Sequence, residues 1–238
     1  MMYRTLVALW TAACVGTSAH AQFGGPVEPA EKRKTTVSKR DREAEPLFTD
    51  PALRVDSVEY GKAAWPTRNT RRAIRGRDVQ GFPLPVVFGE SERWLTEEPD
   101  ELKGKVLVLD FWATWCGPCV RAKPGLVRLQ REFADDLVVV AVSGQSEPES
   151  KVISHLRSSP PQISHAFDAG QRVYRGLAVN AIPHVVVLST DRVVRWQGNP
   201  LDPKFAQAVR RVVAADPLVE RRREVRANLD ANDALDEG

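Results

Sequence analysis

Two cysteines stand close together in the run Trp115-Cys116-Gly117-Pro118-Cys119. This spacing suits thiol–disulfide exchange, in which a thiolate attacks a sulfur and a neighbouring thiol resolves the mixed disulfide. The attacking thiol needs a lowered pKa. A helix N-terminus supplies it through unpaired N–H groups and the positive end of the helix dipole. Cys116 is therefore expected at a helix entrance, exposed and reactive. Cys119, one turn on, is expected to be more buried and to resolve. Gly117-Pro118 keeps the turn tight, and Pro118 needs no N–H partner in a first turn.

Two other uses of the pair have to be weighed. Half of a zinc site needs a second ligand pair. The remaining cysteine is Cys14, and the histidines His20, His155, His165 and His184 include no closely spaced pair. A structural staple is the other use, but closing so short a loop removes little chain entropy from the unfolded state.

The N-terminus bears on this count. Residues 1–21 read as a signal peptide, with Arg4 in the basic region, an apolar run from Thr5 to Val15, and the small-x-small site Ala19-His20-Ala21. Cleavage after Ala21 would start the mature chain at Gln22 and remove both Cys14 and His20. An ordinary buried helix would leave the patternless stretch from Gly16 to Pro29 unexplained. A lipoprotein anchored at Cys14 is a lesser alternative. The localisation expected is periplasmic or otherwise exported.

The chain has 238 residues, 42% of them hydrophobic, which allows at least one folded core. A formal net charge of +3 gives no reason to expect a nucleic-acid partner. Charge is uneven locally. Residues 22–81 hold Lys32-Arg33-Lys34 and a basic stretch from Arg68 to Arg77, with apolar residues scattered without period. They read as a basic linker or poorly ordered arm. A sharper reading is an interaction module or an arm that touches an acidic membrane surface.

The elements that must position the cysteines begin near residue 82. Phe82 to Phe88 is extended and proline-bearing, as in an edge strand or lead-in. Lys105 to Trp112 is a continuous apolar run, which predicts a central strand covered on both faces. Val120 to Phe133 reads as a helix kinked at Pro124. Strands are predicted at 137–142, 162–167, 184–188 and 192–197, the last two joined by a hairpin at Ser189-Thr190-Asp191. Helices are predicted at 148–157, 169–177 and 202–214. His155 and His165 read as surface residues, and Arg210-Arg211 and Arg221-Arg222-Arg223 as solvated helix faces. Residues 217–238 read as a charged tail. Strands alternating with helices imply an α/β sandwich with a mixed sheet.

The run Leu109-Asp110-Phe111-Trp112-Ala113-Thr114-Trp115-Cys116-Gly117-Pro118-Cys119 resembles the active-site strand and helix of the thioredoxin family. Lys103-Gly104-Lys105, the expected export and Ala181-Ile182-Pro183 resemble its TlpA/ResA-like branch, over about residues 83–215. The resemblance implies a thioredoxin-like α/β sandwich over residues 82–216, with a mixed central sheet flanked by helices. It implies an exported thiol–disulfide oxidoreductase that needs no cofactor. Gly117-Pro118 and Ile182-Pro183 resemble reducing members, so client-protein disulfides are the expected substrate and a membrane thiol carrier the expected electron donor.

The resemblance also assigns roles. Pro183 should be a cis-proline facing the cysteines. Ile182 should offer backbone groups to an extended client. Trp115 should be an apolar platform beside the reactive sulfur. Asp110 matches a buried carboxylate that accepts the proton of Cys119, and its place in an apolar strand supports this. The plain alternative is an aspartate satisfied by hydrogen bonds at a strand end. Thioredoxins proper carry a lysine near that carboxylate on the next strand, and Val140 to Ser143 has none. His184, after Pro183, opens an alternative: a copper-binding assembly factor using Cys116, Cys119 and His184. A histidine without a role is the plainer reading.

Overall fold

The computed structural model describes residues 53–67, 79–84, 92–99, 102–144 and 146–236. The expected signal peptide, Cys14, and residues 22–52 and 68–78 of the expected arm lie outside them, as do residues 85–88 of the expected lead-in.

The valine-rich runs become strands because β-branched side chains suit a pleated backbone with cover on both faces. The strands in chain order are β1 (Arg93–Trp94), β2 (Val106–Phe111), β3 (Leu137–Ser143), β4 (Ser164–Phe167), β5 (His184–Leu188) and β6 (Val194–Gly198). They form one sheet in the order β1-β4-β3-β2-β5-β6. β2 and β3 are parallel, with Asp110 opposite Ala141, and β3 and β4 are also parallel. β5 runs antiparallel to β2, with His184 opposite Phe111, and β6 returns antiparallel to β5. The sheet is therefore mixed, as expected.

A parallel pair needs a crossover connection. Between β2 and β3 this is α1 (Gly117–Glu132), the helix that carries the cysteine pair. The other helices are α2 (Glu149–Ser158), α3 (Arg172–Gly176), α4 (Lys204–Ala215) and α5 (Pro217–Asp236). None among the described residues is long and apolar enough to cross a membrane.

Strand alternation divides the core in two. Val106 and Val108 of β2 pack with Trp112, the cysteines, Leu126 and Leu129 of α1, and Val209 and Val212 of α4. Leu107, Leu109 and Phe111 point the other way, onto Val173 and Tyr174 of α3. Asp110 shares the parity of Val106 and Val108, which places it on the cysteine face. Each fully buried aliphatic or aromatic side chain contributes roughly 1.5–3 kcal/mol. Five such residues in β2 thus outweigh the cost of one buried carboxyl.

The fold departs from the sequence reading at the sheet edge, over residues 53–67, and along the C-terminal tail with its arginine run. β1 is only two residues long, too short for a periodic signal, and it pairs at the sheet edge with β4. Residues 53–67, read as part of a linker, hold two 3-10 turns at Val55–Ser57 and Tyr60–Lys62. Tyr60 Oη shares a hydrogen bond with Thr190 Oγ1 at 2.7 Å. The Trp65 ring lies under the Arg195 guanidinium at 3.9 Å and packs against the cysteine-side core.

The tail is helical because its first turn is built in. Asp216 accepts hydrogen bonds from the N–H groups of Leu218 and Val219, and both side chains are buried. The arginine run is not wholly solvated either. Arg222 is buried, and Arg223 pairs with Asp136 at 2.7 Å.

Candidate active site

Cys116 and Cys119 form a disulfide, with Cα atoms 5.3 Å apart. Cys116 is the N-cap of α1, and its sulfur accepts the Cys119 N–H at 3.2 Å. Pro118 sits in the first turn, where its missing N–H costs nothing. The helix end thus directs its positive pole at the Cys116 sulfur. Cys119 is fully buried. Cys116 is also largely covered, at 4% exposed, because it packs into the cluster formed by Trp112 and Ala113. The expected order of exposure is present, but Cys116 is less open than the sequence reading had it. Trp115 beside it is 55% exposed.

The Ile182–Pro183 bond is cis. β5 begins at the next residue, and its register with Phe111 brings Pro183 to the end of β2, where the cysteine loop leaves the sheet. Ile182 is half-buried and touches both core clusters.

Asp110 is fully buried, and neither carboxylate oxygen has a hydrogen-bond partner. Burial pushes its pKa up to about 7, a rise tempered by the charge of Lys123. The carboxyl is thus poised to exchange a proton near neutral pH. The alternative of an aspartate satisfied at a strand end fails on both oxygens.

Three further contacts hold the site, and the sequence reading missed all of them. Lys123, on the turn of α1 after Cys119, places its ammonium 3.8 Å from the centroid of the Trp112 ring. Glu147, in the loop after β3, is buried and accepts from Thr114 N–H at 3.0 Å and from its hydroxyl at 2.5 Å. This fixes the loop one residue before Trp115. Tyr174 donates its hydroxyl to Trp112 O and Val142 O, which ties down the ends of β2 and β3. Spacing gave one faint clue: Lys123 lies four residues from Cys119, on the same helix face. Glu147 and Tyr174 carried none.

Two histidines read as surface residues sit against Trp112. His165 meets the ring edge-on at 5.2 Å and is buried, because β4 lies inside the sheet between β1 and β3. His155 lies 5.5 Å from the same ring and is half-buried. Burial drives His165 down to about 3, so it is neutral at physiological pH.

His184 does not join the cysteines. It has the parity of Val186 and Leu188, and its ring lies 6.2 Å from Phe111 on the α3 side of the sheet. Burial lowers its pKa to about 4. Among the described residues no group of three His, Cys, Asp or Glu side chains is arranged to hold a metal ion. The copper reading therefore has no geometric support.

Residues 104–194 match the family described as Thioredoxin-like. The chain is 40% identical over 76 residues to Thioredoxin-like protein YneN of Bacillus subtilis, a match covering 32% of this chain and 42% of YneN. It is 32% identical over 96 residues to Thioredoxin 1 of Synechococcus elongatus, covering 40% of this chain and 86% of that protein. It is 27% identical over 139 residues to the thiol-disulfide oxidoreductase ResA of Halalkalibacterium halodurans, covering 58% of this chain and 76% of ResA. The cysteine helix, the buried carboxylate and the cis-proline all lie within the matched span, and the chain belongs to the thioredoxin-like family.

Proposed function

We propose that this protein is an exported thiol–disulfide oxidoreductase that reduces disulfides in client proteins. The observation that carries the reading is the Cys116–Cys119 disulfide at the entrance of α1, on the sheet face that also holds the buried, unpartnered Asp110.

In the reduced protein the Cys116 thiolate attacks a client disulfide, forming a mixed disulfide and releasing one client thiolate. Asp110 takes the proton of Cys119. The Cys119 thiolate then attacks the Cys116 sulfur, and the second client thiolate leaves. Two electrons have passed to the client, and the enzyme holds the Cys116–Cys119 disulfide. A membrane thiol carrier returns the pair to the dithiol. Trp115 offers an exposed apolar platform for the client, and the backbone at Ile182 pairs with an extended client segment.

The reducing direction is favoured by Gly117-Pro118 between the cysteines, and export by the pattern of residues 1–21. Contact of the basic segment 22–81 with an acidic membrane surface would bring the domain to its electron donor.

The test is insulin reduction with dithiothreitol as electron source. The protein should accelerate precipitation of the insulin B chain, and Cys116→Ser should not. Equal rates for the two would end the assignment. The reduction potential of the pair against glutathione checks the direction, with a strongly negative value expected for a reductase.

A further inference from the structure

β3 is apolar along its length apart from Ser143, so no cation reaches Asp110 from that strand. The cation that acts on Asp110 comes instead from the cysteine helix. Asp110 and Trp112 are two residues apart at the end of β2 and share the cysteine face. Lys123 is four residues beyond Cys119, so the two project from one side of α1. Its ammonium lies over the Trp112 ring at 3.8 Å, where the indole face attracts a cation. Lys123 also lines a groove of about 410 Å³, together with Val127 of α1, Pro161, Ile163 and His165. The side chain therefore runs from the groove to the Trp112 ring, on the sheet face that holds Asp110, and its charge acts on that carboxyl.

We propose that Lys123 is a positioning residue that sets the proton affinity of Asp110, and with it the pH at which Cys119 is activated. The proposal rests on the oxidoreductase reading for its consequence, and on the geometry of α1 and β2 for its cause. The other titratable groups around the pair act on it from every packed element. Tyr174 of α3 lies across the sheet from Asp110, and the two raise each other's cost of ionising through the sheet. His155 of α2 and His165 of β4 face Lys123. Glu147 faces His155 and Tyr174. Burial keeps both histidines below their ordinary pKa, so neither replaces the Lys123 charge near neutral pH.

The test follows the Asp110 carboxyl directly, by carbon-13 NMR of the oxidised full chain across pH. Removing the cation in Lys123→Met should move the Asp110 midpoint alkaline by about 1 pH unit, at the low end of what an opposite charge within a few ångströms produces. Lys123→Arg should bring the midpoint most of the way back to the wild-type value. Lys123→Gln gives the same comparison with a more polar side chain if the methionine variant does not fold. The pH profile of insulin reduction should move alkaline with the NMR midpoint, and in an Asp110→Asn background Lys123→Met should no longer move it. An unchanged Asp110 midpoint in both neutral variants overturns the proposal. A displaced midpoint with an unmoved rate profile overturns its functional half. An inactive wild-type protein would instead overturn the oxidoreductase reading, because the NMR titration does not depend on turnover.

Discussion

Glu147 holds Thr114 by two groups at once, accepting its backbone N–H at 3.0 Å and its hydroxyl at 2.5 Å. The carboxylate comes from the loop after β3, and the threonine precedes the exposed Trp115 and the N-capping Cys116. The loop that presents the Cys116 sulfur is thus anchored from the segment after the neighbouring strand. Hydrogen bonds to a charged group contribute roughly 1.5–3 kcal/mol. Glu147→Ala is expected to lower unfolding free energy by about that amount and to slow disulfide exchange. A double-mutant cycle with Thr114→Val in urea should show strong coupling. Additive losses would mean that Glu147 acts elsewhere.

Asp110 should make the fold less stable as pH rises. Its folded pKa of about 7 lies above the ordinary carboxylate value. The folded state therefore binds the proton more tightly, and stability present at acid pH is lost as pH rises towards 7. Asp110→Asn should be more stable than wild type at pH 8, by roughly 4 kcal/mol, since each pH unit separating the folded and unfolded pKa values contributes about 1.4 kcal/mol. The advantage should vanish near pH 4. Urea titrations at the two pH values decide this, and a variant that is less stable at pH 8 would refute it.

The buried histidines have the opposite sign. The folded pKa values of His165 and His184 are depressed to about 3 and 4. Stability from each is complete above pH 6.5 and is lost as pH falls towards those values. Between pH 6 and 5 the two losses together exceed the opposing gain from Asp110. His165→Phe should make the decline shallower by roughly 1.4 kcal/mol per pH unit. The same slope in variant and wild type would show that His165 is not buried neutral.

The proposed resolving role of Cys119 predicts a trapped intermediate. Cys119→Ala leaves Cys116 to attack a client, with no thiol to release it. Mass spectrometry should find a mixed disulfide between Cys116 and an insulin chain that accumulates with time. Rapid turnover without accumulation would assign resolution to some other thiol.

The stretch 53–67 should behave as part of the folded domain. Tyr60→Phe removes the bond to Thr190, at a cost of about 0.5–1.5 kcal/mol. Trp65→Ala removes a larger contact with the core and with Arg195. Both variants should be cut faster within 53–67 under limited proteolysis, with the tryptophan variant the faster. Rapid cleavage of wild type there would show that the segment is not docked.

Much of this protein was legible in its residues alone. Apolar runs over 105–112 and 137–142 specify buried strands because no other element hides so many β-branched side chains. Cys-Gly-Pro-Cys at a strand-to-helix boundary specifies its chemistry because the helix end acts only on its own first turn. Such local signals also placed the hairpin at Ser189-Thr190-Asp191 and left Asp110 as a carboxyl in need of a reason. The tertiary structure decided the long-range partners: Lys123 over Trp112, Glu147 under Thr114, and His165 inside the sheet. It also separated His184 from the sulfurs, since pairing with Phe111 turns that side chain to the opposite face. Sheet order and register set these relationships, and neither is written in the spacing along one strand.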